Sequence, residues 1–156
     1  MTAAVFAAVF VALLIGHSVG DQWVQTHHQA CAKGGPGWSA RLACGRHVLT
    51  LTATKVLVLA VVVSVLDLRV TTLGLIVGLG LDAASHYWAD RRTTLARFAK
   101  AIEKSEYYNL GGAAHPDHPV TADGRPALTT GTGAFHLDQS FHHFWLGVAA
   151  LLIAAF

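Results

Sequence analysis

Four apolar stretches, each about long enough for a helix to cross a bilayer, constrain this chain more than any other feature. A hydrocarbon core about 30 Å thick requires roughly 20 mostly apolar residues in a helix. Residues 2–27, 45–66, 70–90 and 136–156 satisfy that requirement, and they dominate a chain of 156 residues. Charged residues make up 13% of the chain, against about 25% in an ordinary soluble domain. Mean hydropathy is +0.47. These values exclude a disordered chain and argue against a soluble enzyme. A net charge of +2 is too mild to suggest a nucleic-acid partner. Cys31 and Cys44 are too few for a disulfide scaffold, and their spacing fits no zinc motif, so they read as structural or incidental. The expectation is a single all-α membrane domain over residues 1–156, an integral four-helix bundle.

The N-terminal stretch lacks a basic leader and a small-residue cleavage site, so it is expected to be a retained helix rather than a signal peptide. Asp67, Leu68 and Arg69 alone separate the second and third segments, which predicts a tight hairpin. Lys33, Arg41 and Arg46 fall between the first and second segments. Arg91, Arg92, Arg97, Lys100, Lys104 and Arg125 fall between the third and fourth, and only Arg69 lies on the other side. The excess of basic residues predicts both long loops in the cytoplasm and both termini outside. Residues 91–108, with Leu95, Phe98 and Ile102 on one side, read either as an amphipathic helix on the inner leaflet or as a cytosolic extension of the third helix. Residues 109–133 are Gly/Pro/Thr-rich and predict a loop; His115 and His118 within it read as surface residues.

Inside the apolar segments, polar residues recur at helical spacing. The first carries His17, Asp21 and Gln25; the second, His47 and Lys55; the third, Asp82, His86 and Asp90; the fourth, Asp138 and His142, with Gln139 and His143 alongside. Residues four apart share a helix face. Counted from the outer ends at 1.5 Å per residue, His17, His86 and His142 lie about 21–26 Å deep, and Asp21 and Asp138 about 27 Å. Neither terminus has a polar extension, so the first and fourth helices are not expected to slide outward. Each intramembrane ionisable group costs at least about 2.5–3.5 kcal/mol, so these side chains are expected to converge on one pocket open to the cytoplasm.

Histidine with aspartate suits zinc, manganese or iron(II). His17, Asp21, His86, Asp90, Asp138 and His142 are the candidate metal ligands. Gln25, His47, Gln139 and His143 are candidates for an outer shell or for substrate contact. Asp21, Asp82 and Asp138 are the candidate catalytic carboxylates, and Lys55 either stabilises a phosphate or reaches out of the apolar region. His27, His28 and His136 read as solvated. Three functions remain open. One is a metal-dependent hydrolase acting on membrane lipid. A second is a scaffold, homo-oligomeric or partnered by another membrane protein, whose polar stripes join helices and whose Gly74, Gly78 and Gly80 allow close packing. The third is a metal-ion or proton carrier, against which the apolar outer halves of all four segments argue.

The sequences HSVGDQWVQT, ASHYWAD and LDQSFHHFWL carry a resemblance to an uncharacterised bacterial and phage membrane family, domain-of-unknown-function family 3307. The pattern is H-x3-D-x3-Q (His17, Asp21, Gln25), a histidine opening the second helix (His47), S-H-x3-D (Ser85, His86, Asp90) and D-Q-x2-H (Asp138, Gln139, His142). Gln22 and Trp23 depart from the larger apolar residues that often follow the first Asp in that family. The resemblance implies a membrane fold and this choice of residues, and carries no activity with it. A looser similarity joins the chain to membrane-bound metal-dependent hydrolases with intramembrane His/Asp pairs.

Overall fold

The computed structural model describes residues 3–111 and 131–156 and is all-helical over them. His115 and His118 lie outside the described residues, as does most of the expected 109–133 loop. Helix α1 (Ala3–Val19) runs directly into a π-helical segment, Gly20–Val24, closed by the Gln25 N–H donating to Gly20 O at 3.0 Å. The first segment therefore ends earlier than residue 27. A short helix, α2 (His27–Ala32), follows, started by a capping box in which the Thr26 hydroxyl accepts from the Gln29 N–H and the Gln29 side chain accepts from the Thr26 N–H.

Helix α3 (Gly37–Val65) begins eight residues before the expected 45, because Pro36 is extended and Gly37 takes φ +83°, a natural helix start. Arg41 and Arg46 are thus on α3 rather than in a connecting loop. After the short Asp67–Arg69 link, Thr71 caps α4 (Thr72–Asp90) by accepting from the Gly74 N–H. The expected 91–108 helix is two pieces, α5 (Thr93–Ala101) and α6 (Ser105–Asn109). Positive φ at Arg92 (53°) and Glu103 (60°) breaks the chain at each start, so α5 is not a continuation of α4. Finally Thr132 caps α7 (Gly133–Ala155).

Two helical stretches, Ala3–Val24 and Gly37–Val65, are long and apolar enough to cross a membrane. α1 packs on both α3 and α7, and α4 packs on α7. The contacts are close where a side chain is missing. A Cβ on Gly16 would stand 2.7 Å from the Lys55 Cα, and one on Gly78 would stand 2.8 Å from the Ala149 carbonyl oxygen. Gly74 likewise abuts Ile153, so Gly74 and Gly78 serve packing within this chain, whereas Gly80 faces open space. One end of the bundle is closed by Val9, Ala12, Leu13, Leu59, Leu146 and Ile153. The polar residues collect at the other end, beside α2, α5 and α6.

Candidate metal centre

Polar side chains from four helices meet beneath the π-helical segment. His47 of α3 is at the middle. Its Nε2 lies 3.1 Å from Asp21 Oδ1, 3.2 Å from Asp90 Oδ2 and 3.2 Å from His86 Nε2. His86 Nε2 in turn lies 3.3 Å from Asp90 Oδ2. His142 stacks on His86 with ring centroids 3.8 Å apart, and its Nε2 is 4.0 Å from Asp90 Oδ1 and 3.4 Å from Asp138 Oδ1. Two sets, Asp21 with His47 and His86, and His86 with Asp90 and His142, each hold their ligand atoms within 4.8 Å of one another.

Hydrogen bonding alone does not account for these contacts. An imidazole nitrogen offers one proton or one lone pair, yet His47 Nε2 has three heteroatom neighbours at 3.1–3.2 Å. Asp21 Oδ1, Asp90 Oδ2 and His142 Nε2 are buried and make no hydrogen bond. A tetrahedral zinc site with bonds of about 2.0–2.2 Å has ligand–ligand edges of about 3.3–3.6 Å. The four contacts among Asp21, His47, His86 and Asp90 described above, 3.1–3.3 Å, lie at or up to about 0.2 Å below that range, so a small outward movement of the side chains would open them to it.

Charge leads to the same place. Lys33 Nζ lies 2.9 Å from Asp90 Oδ1 and 3.8 Å from Asp21 Oδ1. Lys55 and Asp82 form a separate pair at 2.7 Å, both buried. In the cluster, three carboxylates (Asp21, Asp90 and Asp138) meet the ammonium of Lys33, with the Arg92 guanidinium on the wall of the cavity above. Carboxylates outnumber these cations, which favours a further positive charge at the cluster. An uncompensated charge away from water is costly, and a cation within the orphaned oxygens would remove that cost.

The remaining residues take supporting or separate positions. His17 Nε2 is 3.2 Å from Gln139 Oε1, and Gln139 Nε2 donates to Asp21 Oδ2 at 3.2 Å, so Gln139 ties α7 to the α1 end. His17 sits against the His86 and His142 rings rather than among the carboxylates. His143 is exposed and reaches only the His17 ring edge. His27, His28 and His136 are exposed. Lys55 is buried, and its ammonium donates to the Asp82 carboxylate at 2.7 Å, a pair set apart from the cluster. His47, expected in an outer role, sits at the centre, because α3 packs on both the π-helical segment and α4 and so carries it alongside Asp21 and Asp90. Lys33 carries no intramembrane signature in the sequence and was legible only as a loop charge. Arg91 holds it in place by donating to the Lys33 and Gly35 carbonyl oxygens. The second ring nitrogens of His17, His47 and His86 have no hydrogen-bond partner among the described residues.

A cavity of about 450 Å³ opens over the cluster. Asp21, Asp90, Asp138 and Gln139 line its floor, and Arg92 and Tyr108 stand on its walls. Burial pushes the Tyr108 phenol up, which keeps it a hydrogen-bond donor. Cys31 and Cys44 are both free thiols. No protein-family model, curated protein or solved structure matches the chain.

Proposed function

We propose that this chain is a four-span membrane protein with a divalent-metal centre, and that it hydrolyses a bond in a membrane lipid. The observation that carries the metal reading is the set of four contacts among Asp21, His47, His86 and Asp90 at 3.1–3.3 Å, with buried oxygens that make no hydrogen bond and more carboxylates than cations around them. For the spans, support comes from the packing of α4 and α7 on the two helical stretches long and apolar enough to cross a membrane, and from exposed Leu73, Ile76, Val77, Phe144 and Leu151 on their outer faces. The basic residues near the cluster, against Arg69 at the far end, support an inward-facing site. The resemblance to domain-of-unknown-function family 3307 is in keeping with this reading.

A zinc, manganese or iron(II) ion held by Asp21, His47, His86 and Asp90 would supply Lewis-acid polarisation of an ester or phosphoester oxygen and a more acidic water. Asp138 is the carboxylate left for proton transfer. It lines the cavity, its side chain is 25% exposed, and its Oδ1 lies 3.4 Å from His142 Nε2. The water oxygen bonds to the acyl carbon or phosphorus, the ester bond breaks, and the proton taken by Asp138 goes to the departing oxygen. The apolar plug of Leu13, Leu59, Leu146 and Ile153 beyond the cluster argues against a carrier, because no polar route continues through it.

Elemental analysis of detergent-purified protein, prepared without chelator, tests the reading. Wild type is expected to hold close to one equivalent of metal, and His47→Ala and His86→Ala to lose it while remaining inserted. Release of a water-soluble product from a total membrane-lipid mixture is expected to stop with chelator and with Asp138→Asn. Metal-free wild type, or variants that keep their metal, would overturn the assignment.

A further inference from the structure

The polar cavity has an apolar neighbour. A groove of about 440 Å³ runs between α5 and α7, lined by Leu95, Phe98, Ile102, Phe141, Phe144 and Trp145. It lies where α5 packs mainly on α4 and α6. Its rings are buttressed: Phe141 lies against Trp145 at 6.1 Å, and Trp88 backs both Phe141 at 5.2 Å and Phe98 at 6.1 Å. Leu95 lines both the groove and the polar cavity, so the two meet at one side chain. On the α7 side Asp138 and Gln139 face the cavity while Leu137, Ser140 and Phe141 face the groove.

The cavity wall is cationic once the floor is neutralised. Arg92 lines it, donating to the Ala30 carbonyl oxygen at 2.9 Å, and takes φ +53°, a conformation a non-glycine residue keeps only when its surroundings enforce it. Tyr108 and Thr132 add hydroxyls on the same wall. Guanidinium with hydroxyl donors suits the oxygens of a phosphate.

We propose that the cavity and groove together bind a single-chain amphiphile with a phosphate-bearing head. The head lies under Arg92 and Tyr108 above the cluster, and the hydrocarbon chain passes Leu95 into the α5–α7 groove. This substrate class rests on the metal reading, since only a bound cation frees the floor from repelling the phosphate. Pockets that take small ligands are commonly about 300–1,000 Å³, and each half falls within that range.

The test uses Trp145 as reporter. Full-length protein in phosphatidylcholine bilayers, its metal content measured in the same samples, is titrated with single-chain probes brominated along the chain, bearing either a phosphate or a trimethylammonium head. Trp145→Phe isolates the reporter's share of the emission. The phosphate probe is expected to quench at a mole fraction at least about tenfold lower than the ammonium probe. Arg92→Gln should remove that preference and Arg92→Lys should retain part of it. Ser140→Phe, which fills the groove from an exposed position, should abolish quenching by the phosphate probe. Equal quenching by both heads in metal-loaded protein would make the groove an ordinary lipid-facing surface and overturn the proposal while leaving the metal centre intact. Competition by inorganic phosphate as effective as the probe would also overturn it. Lost preference in samples found to contain no metal would refute the metal reading itself.

Discussion

Asp82→Asn is the sharpest probe of how the polar residues divide between holding the bundle together and forming the site. Lys55 is fully buried, its ammonium is 2.7 Å from Asp82 Oδ2, and the Asp82 side chain is 3% exposed. Neutralising one partner of a buried pair strands the other charge and costs about 3–5 kcal/mol. For a protein of this size 1 kcal/mol moves the midpoint by about 2–4 °C, so a loss of about 6–20 °C is expected. Replacing both partners, Lys55→Met with Asp82→Leu, removes both desolvation penalties and should be neutral or stabilising by about 1–4 kcal/mol. The assay is thermal unfolding in detergent followed by tryptophan emission, with metal content measured alongside. The double variant is expected to bind metal like wild type, because neither residue is in the ligand set. If the double variant is as unstable as Asp82→Asn, or loses metal, the pair is not self-contained and the division proposed here is wrong.

Other substitutions have distinct expected outcomes in the same unfolding assay. Gly78→Ala places a Cβ 2.6 Å from Ile153 Cγ1 and 2.8 Å from a backbone oxygen, so it should destabilise by about 1–3 kcal/mol. Gly80→Ala meets nothing within 4 Å and should be neutral or gain up to about 1 kcal/mol from helix propensity. A loss at Gly80 equal to that at Gly78 would mean that α4 is rotated relative to the packing described. Lys33→Met should lower stability by about 3–5 kcal/mol in chelator, where Asp90 loses its ammonium, and excess metal should restore much of it. Thr26→Ala, which deletes the capping box, should cost about 1 kcal/mol or less and leave metal content unchanged.

The polar stripes were legible because i, i+4 spacing is an intrahelical property. His86 with Asp90 and His142 with Asp138 do face one another, at 3.3 and 3.4 Å. What joins stripes on different helices is not written in spacing. The place of His47 depends on how α3 packs against the π-helical segment and α4, and apolar patterning marks only the part of α3 that resembles a membrane span. Pro36 and Gly37 carried the true start, in a stretch whose polar residues read as loop. Lys33 could not be found by pattern at all, since its approach to Asp90 depends on the turn after α2 and on Arg91 gripping two carbonyl oxygens. The break at Arg92 was equally hidden, because an arginine at positive φ leaves no compositional trace.

The π-helical segment at Gly20–Val24 acts as a phase shifter. An ordinary α-helix would stack His17, Asp21 and Gln25 along one line; the wider turn rotates the later residues relative to the first, so Asp21, while sharing Gln139 with His17, also reaches His47 on α3. Shortening that segment by one residue would leave the apolar length of the helix almost unchanged and its ability to insert intact. It would nonetheless turn Asp21 out of the cluster. Two chains with indistinguishable hydropathy profiles would then differ in whether they can hold an ion, and the difference would be the winding of a single helical turn.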